Sequence, residues 1–110
     1  MPNIEDLEYI TEKFNAAKNI AQINEVNNVC VQRFARHMSC KLELAQEHGR
    51  DGWHDSLSIS DKQLVELFVE HLRKGNPDNF LDLANLLMMM WYRDIHPARL
   101  RLAVKPQEGA

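Results

Sequence analysis

Between Phe80 and Trp91, ten of twelve residues are apolar, and only Asp82 and Asn85 interrupt the run. No glycine or proline falls within it. Stepped at 100° per residue, Phe80, Leu81, Leu83, Ala84, Leu86, Leu87, Met88, Met89, Met90 and Trp91 wrap almost the whole circumference of a helix. A surface helix of a small monomer cannot bury so wide a face. This helix is therefore predicted to be central, or shared between the subunits of an oligomer. Its one polar sliver holds Asp78, Asp82, Asn85 and Arg93.

The remaining periodicities are also helical. Ile4, Leu7, Ile10, Phe14, Ala17 and Ile20 recur at spacings of three and four, which predicts a first helix over about 4–20, with Asn3 able to cap it. Ile23, Val26, Cys30, Phe34, Met38 and Leu42 form a second stripe, over about 23–48, which stops at Gly49. Between the two, 19–24 holds no strong breaker, so both a tight turn and a kink stay open. The loop at 49–59 combines turn formers with Trp53, predicted to fold back as its anchor. A third helix opens on Ser60 and Gln63 in capping-box spacing and ends with Arg73, Lys74 and Gly75. The fourth is expected to start at once, with Asn76 as cap and Pro77 at the first helical position, and to run to the residue before Pro97. The expectation is an all-α bundle of about four helices with a tight C-terminal helical hairpin, oligomeric, with one domain over 1–96 and a flexible basic tail over 97–110. That tail carries Arg99, Arg101 and Lys105.

At 110 residues, 45% hydrophobic and 26% charged, the chain has globular composition and room for one core. A net charge of −3 gives no global attraction to nucleic acid or to an anionic membrane. Cys30 and Cys40 are ten residues apart on one predicted helix, roughly 15 Å, too far for a disulfide, so reduced thiols and a cytoplasmic location are expected. The chain opens without a basic region followed by an apolar stretch, and no apolar run reaches the roughly 20 residues of a membrane span, so neither an export signal nor a membrane segment is expected.

Paired acids on facing helices are how all-helical proteins hold divalent metals. With the turn near Gly75 and Asn76, Glu70 and Asp82 both lie on the order of 8 to 10 Å from the tip of the hairpin. They are the candidate metal ligands, although Glu70 also falls nearly opposite the stripe of Leu64, Phe68 and Leu72, where a charge is simply solvated. Glu66 and Asp78 fall at different heights and complete no cage. Asp82 and Asn85 need partners wherever their helix is buried, and a structural hydrogen-bond network supplies them as readily as a ligand does. His37, His48, His54, His71 and His96 include no pair at four-residue spacing and meet no Cys-x-x-Cys, which leaves a zinc site without support. Cys30 and the run Met88 to Met90 read as packing. Gly49 and Gly52 form a turn and not a phosphate cradle. The fourth helix is too apolar to lie in a DNA groove.

Three stretches, in this order, carry a family likeness: Gly49-Arg50-Asp51-Gly52-Trp53-His54-Asp55, then Val69-Glu70-His71-Leu72-Arg73-Lys74-Gly75-Asn76-Pro77, then Asp82-Leu83-Ala84-Asn85 followed by Met88, Met89 and Met90. From His48 to Arg93 the chain resembles the MazG-like nucleotide pyrophosphohydrolases, including the short versions common in tailed phages. The resemblance implies an all-helical fold that oligomerises. Active members hydrolyse nucleoside triphosphates to monophosphate and pyrophosphate, with magnesium held by Glu-x-x-Glu on one helix and Glu-x-x-Asp on the next. Matched onto this chain, Glu70 takes the first place, Arg73 stands where the second Glu belongs, Asn79 replaces the third and Asp82 keeps the last. Half of the metal set is replaced, and Arg73 adds positive charge that suits phosphate directly.

The resulting expectation is a non-catalytic MazG-like helical module, a phage accessory protein that binds a nucleotide or a protein partner through Glu70, Arg73, Asp82 and Asn85. One alternative is a magnesium-dependent nucleoside triphosphate pyrophosphohydrolase with Glu70 and Asp82 on the metal and Glu66 assisting. The other is a purely structural oligomer with the fourth helix as its interface.

Overall fold

A computed structural model describes residues 4–77 and 79–104. Asn3, Asp78 and Lys105, which the sequence assigned to a cap, the polar sliver and the tail, lie outside the described residues. The described chain is all-helical: α1 (Ile4–Ala16), α2 (Ile20–Glu47), α3 (Asp61–Lys74), α4 (Asn79–Tyr92) and α5 (Ala98–Ala103). It divides into two compact units, Met1–Cys40 and Lys41–Ala110. The division falls inside the continuous α2 and not at a linker, so composition gives no sign of it.

In the first unit the question left open at 19–24 resolves as a break. Asn19 accepts from the Gln22 backbone N–H at 2.9 Å, a side-chain cap that starts α2 three residues earlier than its apolar stripe. Arg33 reaches from α2 to α1: its guanidinium pairs with Asp6 and lies 4.4 Å from the centre of the Tyr9 ring. An open groove of about 340 Å³ runs beside this contact, lined by Tyr9, Ile10, Val26 and Val29 among others. No residue of α2 is buried among those described.

The second unit holds the core. Leu64 and Val65 of α3 meet Leu86 and Met90 of α4, and Trp53, Ile59, Phe68, Met89, Ile95 and Leu100 close around them. The N-terminus of α3 follows local chemistry: Ser60 accepts from the Gln63 backbone and Gln63 Oε1 accepts from the Ser60 backbone at 2.7 Å, a reciprocal cap. Its C-terminus turns at Gly75 with φ +67°, where an added Cβ would meet nothing within 4 Å. Gly75→Ala is therefore expected to cost about 1 kcal/mol, the backbone penalty alone, read from the urea midpoint. An unchanged midpoint would show that the left-handed turn is not kept in solution.

Both ends of α4 differ from expectation. It starts at Asn79 and not at Pro77, and it stops at Tyr92, four residues before His96. The stop is a Schellman motif. Ile95 N–H bonds to Met90 O at 3.0 Å and Asp94 N–H to Trp91 O at 3.2 Å, with Asp94 at φ +55°. Ile95 then packs on the core cluster to which Met90 belongs, in keeping with the apolar contact that accompanies this motif. Within the stretch read from the sequence as a tail, Ala98–Ala103 is helical, and Leu100 packs on the core.

Candidate functional site

The apolar run of α4 is divided between two faces. One buries Leu86 and Met90, at 7% and 3% exposure, together with Asn79 and Asn85. The other leaves Phe80 77%, Leu87 46% and Trp91 74% exposed. At 100° per residue, Phe80, Ala84, Leu87 and Trp91 fall within an arc of about 60°, one straight stripe along the outer side. Asp82, the sole charged residue of α4, lies on the opposite side of the wheel. At the C-terminal end, Tyr92 stacks edge-on against Trp91 at 4.9 Å and stands 6.2 Å from Trp53.

The second candidate region is polar and centres on Asp82 of α4, which the side chains of His71 of α3 and Lys41 of α2 approach. The Asp82 carboxylate is 3.7 Å from Lys41 Nζ and 3.9 Å from His71 Nδ1, and about a third of it is exposed. The Asn79 side-chain amide donates to the His71 carbonyl, one of the last carbonyls of α3 that no helical partner satisfies. Its Oδ1 stands 3.3 Å from His71 Nδ1, which donates to it when that nitrogen carries the proton. Asn79 is thus the pin of the hairpin, which explains why it is 6% exposed. Asn85, one turn along from Asp82, is 5% exposed.

The residues singled out in the sequence separate in space. Glu70 points to solvent, its side chain 61% exposed, and meets Lys74 at 3.5 Å within its own helix. Arg73 is exposed in the last turn of α3. Glu66 is exposed and sits 3.9 Å from Lys62. Asp82 and Asn85 belong to the polar region, whereas Glu70 and Asp82 are each met by a different cation. No group of three His, Cys, Asp or Glu side chains is placed to hold a metal among the described residues. Cys30 and Cys40 are free thiols.

Lys41, His71 and Asn79 were not drawn together by the sequence. The same measure of height along the hairpin that aligned Glu70 with Asp82 also places His71 level with Asn79, so that contact was readable. Lys41 comes from an element far along the chain, and no spacing signals it.

Arg93, the remaining member of the polar sliver, holds the loop. Its guanidinium donates to the Trp53 carbonyl at 2.9 Å, to the Ile59 carbonyl at 2.5 Å and to Asp61 at 2.6 Å, with its side chain 9% exposed. Arg99 of α5 reaches the same Asp61 at 3.5 Å. This arrangement pins the loop to the core and offers nothing to a ligand.

Among the described residues no helix is long and apolar enough to cross a membrane. Compared with known proteins, the chain matches no family model, no curated protein sequence and no solved structure.

Proposed function

We propose that this chain is a non-catalytic helical binding module of MazG-like kind, a phage accessory protein that engages a protein partner through the outer face of α4. The observation that carries the reading is the exposure of Phe80, at 77%, and of Trp91, at 74%, on one stripe with Leu87. Large aromatic side chains aligned on one face are what a protein interface uses as anchors, and their alignment with Leu87 sets this stripe apart from singly exposed apolar residues such as Leu57. The phage setting rests on the sequence resemblance alone.

The non-catalytic part is supported by the surroundings of the acids. A magnesium ion needs carboxylates free to turn toward it. Asp82 faces Lys41 and His71, and Glu70 faces Lys74. Binding a divalent cation there would mean displacing one ammonium group at each acid. Nucleotide binding without hydrolysis has less support than a protein partner, because Arg73 stands exposed and unconnected to the Asp82 region by any contact described above.

Two measurements test this. Nucleoside triphosphates with magnesium are expected to release no pyrophosphate and to leave the melting temperature unchanged. Magnesium-dependent turnover that disappears in Asp82→Ala would overturn the non-catalytic reading and establish the hydrolase instead. For the binding face, tagged chain is recovered from cells and weighed intact by native mass spectrometry. Whatever associates with wild type, a second copy or another protein, is expected to be lost with Phe80→Ser; unchanged association would remove α4 from the account.

A further inference from the structure

We propose that the occupant of the α4 face is a second copy of this chain, docked antiparallel about a two-fold axis that passes between Ala84 and Leu87. This pairing rests on the reading of α4 as an interaction face and names its partner.

Side-chain size along the stripe carries the orientation. Phe80, Ala84, Leu87 and Trp91 are separated by four, three and four residues, the alternation that keeps one seam of a helix facing a neighbouring helix. The spacing is symmetric about its midpoint, but the sizes are not. An antiparallel two-fold sets Phe80 against Trp91 of the partner subunit and Ala84 against Leu87 of the partner subunit. Each large side chain then meets one it can stack on or a small one it can fill. A parallel pair would set Ala84 against the partner's Ala84, leaving a void there with the loss of contact a void entails, and two turns along it would crowd Trp91 against the partner's Trp91. The antiparallel arrangement also places the N-terminus of one α4 beside the C-terminus of the other, where the helix dipoles attract.

Area and charge agree. Aromatic side chains carry about 150–250 Å² each. At the exposures of Phe80, Leu87 and Trp91, the stripe offers roughly 400 Å² of apolar side chain. A standard interface covers about 800 Å² per partner and is a little over half apolar, so the stripe supplies close to the apolar part of one. No charge lies on it, because Asp82 is on the other side of α4. The stripe itself therefore brings no like charges together. The same patch meets itself, which is the condition for a closed dimer and not an open chain of subunits.

Light scattering on the purified chain is expected to give twice the 12.8 kDa of one copy. Leu87→Asp and, separately, Phe80→Ser are expected to weaken self-association at least about 30-fold. Both positions are exposed in a single chain, so helical circular dichroism should be retained. The orientation is read from cross-linking in a Cys30→Ser, Cys40→Ser background. Phe80→Cys together with Trp91→Cys should give a covalent dimer on oxidation. Phe80→Cys alone should not, because the two copies of that position would stand about 16 Å apart along the axis. Efficient cross-linking of Phe80→Cys alone would overturn the antiparallel arrangement. A wild-type chain that stays monomeric to about 100 µM, or a dimer indifferent to Leu87→Asp, would overturn self-pairing. In the monomeric case, a different protein recovered from cells and lost with Phe80→Ser would leave the interaction face standing with another occupant. A monomer that recovers nothing would remove both.

Discussion

Arg93→Met is expected to lower the unfolding free energy by about 3 kcal/mol, the usual cost of taking away one side of a buried, hydrogen-bonded charge. The guanidinium makes three bonds at once, to the carbonyls of Trp53 and Ile59 and to Asp61. Methionine fills the volume but donates nothing. Asp61, at 43% side-chain exposure, can turn to water, so most of the cost falls on the two loop carbonyls. Lysine should recover less than half of it, since a single ammonium cannot reproduce the planar fork that spans three acceptors. Urea unfolding followed by circular dichroism measures the effect. A loss below about 1 kcal/mol would mean that the loop finds other donors and that Arg93 is not its fastening.

Leu64→Ala is expected to cost about 3–4 kcal/mol. Leu64 is 1% exposed, the most buried side chain described, and sits where α3 meets Leu86 and Met90. The cost of such a truncation depends on whether neighbours can close the cavity. Leu64 shares its cluster with Val65, Leu86 and Met90, and helices that carry several buried side chains each move little to close a single void. Only Leu64, Val65, Val69, Leu86 and Met90 are buried hydrophobics among the described residues. Against a total of about 5–15 kcal/mol for an ordinary domain, losing one of so few is a large fraction. The variant should unfold at markedly lower urea. A midpoint within the error of wild type would mean that the second unit draws its stability from somewhere other than this core.

Elements with punctuation in their own residues were legible in the sequence. The third helix was bounded correctly at both ends because Ser60, Gln63 and Gly75 act on neighbours three or four residues away. The end of α4 was not, because its stop depends on Asp94 adopting a left-handed conformation that aspartate takes less readily than glycine. Ile95, the next residue, packs against the buried cluster that α3 and α4 build together, a contact that local spacing does not reveal. The start of α4 moved for a related reason: Asn79 is drawn inward to the His71 carbonyl. Part of the stretch read as a tail is helical, and Leu100 within it packs on the core, a contact that composition does not reveal.

The candidate site divides in the same way. The helical wheel isolated Asp82, Asn85 and Arg93 as the polar residues of an apolar helix, and Asp82 and Arg93 each have a defined partner. Glu70 was paired with Asp82 by height alone, but height does not fix direction around the helix, and its side chain points outward to Lys74. Lys41 was invisible, since a residue brought in from another element carries no mark of it.

The two tryptophans stand in opposite surroundings. Trp53 packs against the core, and Arg93 holds its carbonyl. Trp91 projects with 74% of its surface open. The chain therefore carries two separate optical reporters. Iodide added to the native protein should quench the indole at 91 more strongly than the partly buried one at 53, so emission from the less accessible ring follows folding. The quenchable emission follows whatever comes to cover the outer face of α4.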